Sequence, residues 1–449
     1  MAEAPTRAST IRLQSLIDRA DKALPEGAIR VGVGLVINGL ALYGFVAIAT
    51  RALDQTAYAT VSVLLAAVVI VGPGIFQPLE QEVSRAIANR RAHDLGGGPV
   101  VKKAGMLGFG LASLLVVASL VALPLVLDRL FDGVVPVYVG FLVALYGFCL
   151  GHLTRGTLSG NGRFPSYAIY FGAEGTVRVL GAVLLVALGV ATAGRFGLII
   201  GLAPFAATAI ALWGQKGLIK PGPEARWSEV TTALGWLLMG SLLTGFMVGV
   251  GPLAVRILAP EDQLVAPGIF LNGLILARVP LFCFQAIQAT LLPKLSGLAS
   301  AGRIGEFKAG LRRLLLLLGM VAIIGTGLAA LLGPWAMRIV FGPAYEMSSR
   351  DLGLLAAAST MTMIAIALDQ SLIALKGHRY MALGWLIGSS TFVVVTALGH
   401  DLFLRVEVGL LAGATASACA MATFLTARLG RVARAEVDVI DVRSVPASA

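Results

Sequence analysis

The first long apolar stretch of the chain is residues 31–50, VGVGLVINGLALYGFVAIAT, which contains no charged side chain. A helix needs roughly 20 apolar residues to cross the hydrocarbon core of a bilayer. Over the whole chain, hydrophobic residues make up 57% of the composition, charged residues make up 13%, and the mean hydropathy is +0.87. Soluble domains carry about 25% charged residues. The composition therefore indicates a polytopic membrane protein and excludes a soluble, disordered or fibrous chain.

Eleven more stretches of similar length follow, separated by short polar segments. Transmembrane β-strands are shorter and alternate in polarity, so a barrel does not fit this pattern. The sequence predicts an all-α integral membrane protein with twelve transmembrane helices. The predicted spans are residues 31–50, 58–76, 104–127, 134–153, 166–190, 196–214, 233–253, 265–285, 314–332, 352–375, 381–398 and 408–427.

The basic residues predict the orientation. Of the 35 Lys and Arg residues, 26 lie in the N-terminus, in the C-terminus or in loops after even-numbered spans, and 7 lie in the remaining loops. Basic loops stay in the cytoplasm. We therefore expect both termini to be cytoplasmic in a multi-pass protein of the bacterial cytoplasmic membrane. This topological role accounts for most of the net charge of +11, so nucleic-acid binding is not needed to explain it.

The spans divide the chain into two halves with polar segments around them. Residues 10–24 place apolar side chains on one helical face, which predicts an amphipathic helix at the membrane interface; a solvated leader with accidental periodicity is the alternative. The three cysteines and four histidines do not form ligand spacings, so no disulfide framework, metal site or cofactor is predicted. The predicted units are a cytoplasmic N-terminal segment at 1–28, a six-helix lobe at 29–218, a cytoplasmic linker at 219–232, a second six-helix lobe at 233–429 and a disordered cytoplasmic tail at 430–449.

Short motifs recur in the two halves in the same order. FQPLEQEV (76–83) follows span 2, and FQAIQATL (284–291) follows span 8 at an offset of 208 residues. Phe131 and Phe341 follow spans 3 and 9, and Arg163 and Arg379 follow spans 4 and 10. Six helices is an even number, so both halves start on the same side. The pattern predicts a parallel repeat, with a pseudo-two-fold axis along the membrane normal and a cleft between the lobes.

Four stretches resemble bacterial polysaccharide flippases, the lipid-linked oligosaccharide flippase family of the multidrug/oligosaccharidyl-lipid/polysaccharide exporter superfamily. They are FQPLEQEVSRAIANRR (76–91), RGTLSGNGRFPSY (155–167), ARVPLFCFQAIQATLLPKLS (277–296) and FGPAYEMSSRDLGLL (341–355). The resemblance extends over residues 31–428. Its motifs are typical of the superfamily and say little about the cargo.

The resemblance implies a V-shaped exporter fold that works by alternating access. It implies transport of a lipid-linked oligosaccharide, of polyprenyl-diphosphate type, for cell-surface polysaccharide or lipopolysaccharide biosynthesis. The partners would then be the lipid-linked glycan, membrane lipids, a coupling proton or sodium ion, and a polysaccharide polymerase or glycosyltransferases. An ion-coupled multidrug exporter of the same fold is the alternative. An enzyme is not expected, because the loops are short and contain no catalytic constellation.

Ionisable side chains inside spans are the candidate functional residues, since each costs roughly 2.5–3.5 kcal/mol in the bilayer centre. Glu174 and Arg178 are four residues apart and can pair. The pair is either a self-neutralised structural element or a switch, in which anionic substrate recruits Arg178 and Glu174 takes up a coupling ion.

Arg278 in span 8 has no local acidic partner. A guanidinium binds phosphate oxygens bidentately, so Arg278 is a candidate ligand for a diphosphate; the alternative is a side chain that reaches the headgroups. Asp369 is a candidate proton or sodium site, or a structural carboxylate. Asn38 and Asn272 are candidates to line the same cavity and bind sugars, or they serve as interhelical contacts.

Overall fold

The computed structural model describes residues 28–231, 234–281, 284, 295, 297–299 and 301–444. The interfacial helix predicted at 10–24 and most of the repeated motif at 284–291 lie outside the described residues. Everything described is helix, turn or loop, without strands. The helices are α1 (Ala28–Ala52), α2 (Gln55–Ala92), α3 (Gly98–Val121), α4 (Val135–Gly160), α5 (Phe164–Ala187), α6 (Ala193–Leu212), α7 (Leu234–Leu258), α8 (Ala266–Ala277), α9 (Ile304–Phe341), α10 (Ser349–Ala374), α11 (His378–Leu398) and α12 (Leu402–Ser444).

Each of the twelve predicted spans corresponds to one of these helices. Eleven helices are long and apolar enough to cross a membrane. The exception is α8, which has 12 residues and ends at Ala277, whereas the predicted span continued to residue 285. The interruption is short, because residues 279–281 are helical again after a turn at Arg278. Pro280 accounts for it, since a proline inside a helix lacks the N–H that would bond to the carbonyl four residues earlier and its ring clashes with that carbonyl. Arg278 is consequently the C-terminal cap of α8, at the break between two helical segments.

Three helices extend beyond the bilayer-sized stretch that hydropathy detects. The second helix turns through a π-helical segment, Gly72–Phe76, and continues to Ala92, although a loop was expected from residue 78. Pro78 is tolerated there because it lies in the first turn of the segment that begins at Gln77. Backbone N–H groups in the first turn of a helix have no acceptor within that helix, so the absence of this group in proline costs little. Helix α9 has 38 residues, and α12 reaches Ser444, so residues 430–444 are helical rather than the disordered tail predicted for 430–449.

The two halves pack their helices in the same pairs. In the first half α1 packs on α5, α2 and α6 on α4, α3 on α4, and α5 on α6. In the second half the equivalent pairs, six helices further along, are all present. We call residues 28–212 the N lobe and residues 234–444 the C lobe. The paired packing agrees with the repeat that the short motifs predicted.

The linker between the lobes is held against the N lobe. Buried Arg90 donates from Nε to Glu229 Oε2 at 2.8 Å and from Nη1 to the Pro223 carbonyl at 2.8 Å.

The two ends of the molecule are named by their charge. We call the end where α2 finishes and α3 begins the basic face, because Arg90, Arg91, Lys102 and Lys103 lie there. We call the other end of the molecule the opposite face.

Glycines set the distance between the central helices of each lobe. A Cβ on Gly140 of α4 would lie 2.5 Å from the Gly197 carbonyl oxygen of α6, and a Cβ on Gly201 would lie 2.5 Å from the Gly140 oxygen. In the C lobe a Cβ on Gly388 of α11 would lie 2.5 Å from the Gly413 oxygen of α12. Close backbone approach at small residues is how helices associate in lipid, where no hydrophobic driving force exists between them.

Substitution of Gly140 by Ala should therefore destabilise the N lobe. The added methyl group forces α4 away from α6, and overpacking of this kind costs about 1–3 kcal/mol. Thermal unfolding of the purified protein in detergent measures the effect as a lower melting temperature. Gly110→Ala is the matched control, because a Cβ at Gly110 has no neighbour within 4 Å. Equal melting temperatures for the two variants would contradict the packing argument.

Candidate functional site

Glu80 of α2 is a buried carboxylate that gathers polar contacts from two other helices. Arg155 of α4 donates to Glu80 Oε2 from Nε at 2.9 Å and from Nη2 at 2.5 Å. Tyr167 of α5 donates to Oε1 at 2.8 Å, and His152 Nδ1 lies 2.9 Å from Oε2. A buried carboxylate is costly unless its charge is paired and its oxygens are hydrogen-bonded. Glu80 is therefore fully compensated inside the N lobe.

Small residues on α4 make this cluster possible. A Cβ on Gly156 would lie 2.7 Å from the Glu80 carbonyl oxygen, and a Cβ on Gly160 would lie 2.8 Å from the Ser84 oxygen. The backbones of α2 and α4 are thus in direct contact at the basic face. This proximity brings the side chains of His152 and Arg155 within reach of Glu80.

Three of the sequence-predicted residues lie together inside the N lobe. Glu174 accepts a hydrogen bond from Arg178, as their spacing on α5 predicted. Asn38 of α1 packs against Gly175, where its Oδ1 would lie 3.0 Å from an added Cβ. Asn38 Oδ1 and Arg178 Nε are buried and have no hydrogen-bond partner among the described residues. The cluster therefore retains one unused acceptor and one unused donor.

One face of α5 connects this cluster to Glu80. Tyr167, Phe171, Glu174 and Arg178 follow at helical spacing along that face. The Arg155 guanidinium lies 4.9 Å from the centroid of the Phe171 ring and 5.4 Å from that of Tyr170. The N lobe thus contains a continuous line of charged and aromatic side chains from the basic face towards mid-depth.

Arg278 and Asn272 lie elsewhere, on α8 at the boundary between the lobes. Asn272 is fully buried and accepts a hydrogen bond from Tyr58 of α2. Tyr43 of α1 donates a hydrogen bond to the Ile275 carbonyl, three residues before Arg278, at 2.8 Å. In the part of the chain that the structure describes, no ion pair includes Arg278. Asn38 and Asn272, which were expected to line one cavity, occupy different environments.

Asp369 lies inside the C lobe. Its Oδ2 accepts a hydrogen bond from Trp385 Nε1 of α11 at 3.2 Å, and its Oδ1 has no partner among the described residues. Asp369 as a whole residue has a relative exposure of 7%. Asp369 is therefore only partly satisfied, in contrast to Glu80 in the N lobe.

Polar contacts between the lobes concentrate at the opposite face. Arg256 at the end of α7 pairs with Asp132 of the N lobe and donates from Nε to the Arg129 carbonyl at 2.9 Å. Arg51 Nη2 donates to the Ile339 carbonyl at 2.8 Å. Gln55 Nε2 donates to the Ala344 carbonyl at 3.1 Å, and the ring of Tyr58 meets that of Tyr345 edge-on with centroids 5.4 Å apart. We call these interactions the opposite-face latch.

Sequence reasoning did not single out the Glu80 cluster or the latch, although signals for both were present. Glu80, Arg155 and Tyr167 lie in two of the stretches that carry the family resemblance, and those stretches meet in space around Glu80. Asp132 directly follows Phe131 and Tyr345 lies four residues after Phe341, the two phenylalanines that recur after spans 3 and 9. The repeated motifs thus mark the places where helices or lobes lock together.

Comparison with known proteins gives relatives without assigned roles. No family model matches the chain. An uncharacterised protein of Mycobacterium bovis is 26% identical over 437 residues, covering 87% of this chain and 90% of the relative. An uncharacterised protein of Mycobacterium tuberculosis is 26% identical over 440 residues, covering 90% of this chain and 94% of the relative.

Solved structures show the fold. The chain is similar to the inward-facing conformation of a multidrug resistance MATE family transporter of the MOP superfamily, with a TM-score of 0.72, 11% identity, and coverage of 91% of this chain and 99% of the other. For an outward-facing conformation of such a transporter the TM-score is 0.67 at 13% identity, with coverage of 91% and 96%. The protein therefore has the all-helical, multi-pass membrane fold of MATE family transporters, and the narrower polysaccharide flippase resemblance is not confirmed by these matches.

Proposed function

We propose that the protein is a membrane transporter that works by alternating access of its two lobes. The observation that carries this proposal is the division of the fold into two six-helix lobes that repeat the same helix pairs and meet along α2, α7 and α8. The opposite-face latch joins the two lobes at one end of this boundary through polar side chains. The higher TM-score against the inward-facing MATE structure supports the interpretation that this conformation is closed at the opposite face.

The charge distribution supports a location in the bacterial cytoplasmic membrane with both termini in the cytoplasm. The basic face then contacts the cytoplasm, and the latch closes the outer side. In this orientation the line of polar side chains in the N lobe starts at the cytoplasmic side. A proton or sodium ion is the proposed coupling ion, with Glu174 and Asp369 as candidate sites.

The solved neighbours favour a small organic compound as the substrate. They are multidrug resistance transporters, and the similarity to their fold extends over 91% of this chain. An organic cation would need an acidic partner, and Asp369 has one carboxylate oxygen without a hydrogen bond. Multidrug export is therefore the first candidate function.

A lipid-linked oligosaccharide is the second candidate substrate, and Arg278 is the observation that favours it. This cation lies at the boundary of the lobes, with a buried Nε that has no hydrogen-bond partner among the described residues. A guanidinium in that state suits a diphosphate, with which it forms parallel hydrogen bonds. Asn272, Asn38 and Arg178 would be the further candidate contacts to the headgroup, and glycan-synthesising enzymes would be the partners.

Loss of the Asp132–Arg256 pair should shift the protein towards the conformation open at the opposite face. The pair is largely buried, and removing one partner of a buried pair costs about 3–5 kcal/mol because the other charge is left unpaired, which shifts the equilibrium by more than about a hundredfold. Double electron–electron resonance measures the distance between two spin labels, and labels attached at exposed Asp128 and Glu346 report the separation of the lobes. Arg256→Gln should increase the population with the longer distance.

The charge-swapped double variant Asp132→Arg/Arg256→Asp is the control for this shift. It restores the attraction and should return the distance distribution towards that of the unmodified protein. Identical distributions in all three proteins would show that the pair does not hold the lobes together.

Charge-neutralising substitutions distinguish the two substrate classes. For a multidrug exporter, Asp369→Asn should lower the tolerated concentration of an organic cation by about tenfold, the effect of 1.4 kcal/mol, while Arg278→Gln leaves it unchanged. For a lipid-diphosphate flippase, Arg278→Gln should reduce translocation of a labelled lipid-diphosphate glycan into vesicles of the purified protein. Arg338→Gln, at an exposed site on the opposite face, is the control for both assays.

A result in which the unmodified protein confers no resistance and moves no lipid-diphosphate glycan would refute both candidates. A different result is that the unmodified protein shows one of these two activities while Asp369→Asn and Arg278→Gln behave like the Arg338→Gln control. That result would support the transport function and show that Asp369 and Arg278 do not contribute to the substrate site.

A further inference from the structure

We propose that Glu407, near the start of α12, is a proton-binding site of the C lobe. Its carboxyl carries a proton in the conformation with the latch closed and releases the proton when the lobes rearrange. The proposal rests on the transport function proposed above and names the coupling ion of that function as a proton. Neither the sequence motifs nor the solved neighbours pointed to this residue.

The first observation is the isolation of the carboxyl group. Glu407 has a relative exposure of 0%, and neither of its carboxylate oxygens has a hydrogen-bond partner among the described residues. The other buried acids differ. Glu80, Glu174 and Asp351 each contact an arginine, and Asp369 accepts from Trp385. An ionised carboxylate without partners in an apolar interior is far more costly than a neutral one.

The second observation is the sign of the surrounding charges. Asp351 and Arg350, at the start of α10, and Asp401, just before α12, are charged groups near Glu407. Arg405, two residues earlier on α12, donates from Nη2 to the Leu258 carbonyl at 3.0 Å. Arg350 Nη2 is already paired with Asp351 Oδ1 at 2.8 Å, so its charge is shared. Helix α11, which also packs on α12, has its ionisable residues His378, Arg379 and Tyr380 in its first turn, at the end of the helix far from Glu407. Arg256 of α7 pairs with Asp132 in the N lobe. The net surroundings therefore favour the neutral form of Glu407.

A proton fits the site better than a metal ion. The described residues contain no group of three or more His, Cys, Asp or Glu side chains that could hold a metal. Asp351 is committed to the cap of α10, where it accepts from the backbone of Ser348 and from Arg350. A proton needs only one carboxylate oxygen, and exposed Asp401 at the rim is a group through which it can arrive.

Infrared spectroscopy of the purified protein tests the proton directly and without a substrate. The unmodified protein should show the carbonyl stretch of a protonated carboxyl group that has no hydrogen bond, and Glu407→Gln should remove it. The band should weaken reversibly as the pH is raised. Glu346→Gln, at an exposed acid on the same face, should leave the band unchanged.

Transport in vesicles then tests the coupling. Glu407→Gln resembles the protonated side chain and should retain exchange of substrate at equal pH, while uphill transport driven by a pH gradient falls to the level of vesicles without a gradient. Glu407→Asp, which keeps a titratable group, should recover part of the gradient-driven transport.

The outcomes are separable. A spectrum that is identical in the unmodified protein and Glu407→Gln means that Glu407 is ionised and overturns the proposal. A band that persists at every pH, together with gradient-driven transport by Glu407→Gln, identifies a structural carboxyl and also overturns it. A titrating Glu407 band in a protein that transports nothing would instead remove the transport function and leave the proton site.

Discussion

The cost of placing a charge in an apolar interior governs this structure. Compensated buried ions join helices of one lobe, the linker to the N lobe, or the two lobes to each other. Glu80 joins α2, α4 and α5 through Arg155, His152 and Tyr167, and Glu174 neutralises Arg178 within α5. Among the described ionisable side chains, Arg278 at the lobe boundary and Asp369 and Glu407 inside the C lobe have buried polar atoms without a hydrogen-bond partner and form no ion pair. A buried ionisable group without a partner lowers stability, so its presence points to a functional role.

Backbone packing gives the lobes the rigidity that alternating access requires. Glycine contacts between α4 and α6, and between α11 and α12, bring helices of the same lobe to backbone distance. Across the lobe boundary α2 and α7 also approach each other closely, because a Cβ on Gly245 would lie 2.8 Å from the Ile70 carbonyl oxygen. The latch adds a few side-chain hydrogen bonds, one ion pair and a ring contact at the opposite face. Motion of each lobe as a unit, as in the proposed transport cycle, therefore requires α2 and α7 to rearrange as well as the latch to open.

Much of this fold could be predicted from the sequence, because hydropathy measures the same bilayer thickness that the helices must cross. The repeat of six helices was also predictable from three pairs of short motifs. The polar continuation of α2 to Ala92 was not, since hydropathy does not distinguish a solvated helix from a loop. The interruption after α8 at Arg278 depends on a single proline, and the neighbours of Arg278 depend on tertiary packing that no local pattern encodes.

The site was predictable only in part for the same reason. The pairing of Glu174 with Arg178 follows from a spacing of four residues on one helix. The cluster around Glu80 joins residues more than 70 positions apart, which no local pattern connects. Glu407 was not predicted from the sequence because it lies near a helix start, where a charged side chain usually reaches solvent. What distinguishes Glu407 is the absence of a partner among the described residues, which only coordinates can reveal.

The most direct test of the account is to lock the opposite face. In a cysteine-free protein, Gln55→Cys and Ala344→Cys can be joined by a short bifunctional thiol reagent, since Gln55 Nε2 lies 3.1 Å from the Ala344 carbonyl oxygen. The account predicts that cross-linking stops substrate transport in vesicles and that cleaving the reagent restores it, while either single cysteine variant is unaffected. Undiminished transport by a fully cross-linked protein would contradict alternating access through this face.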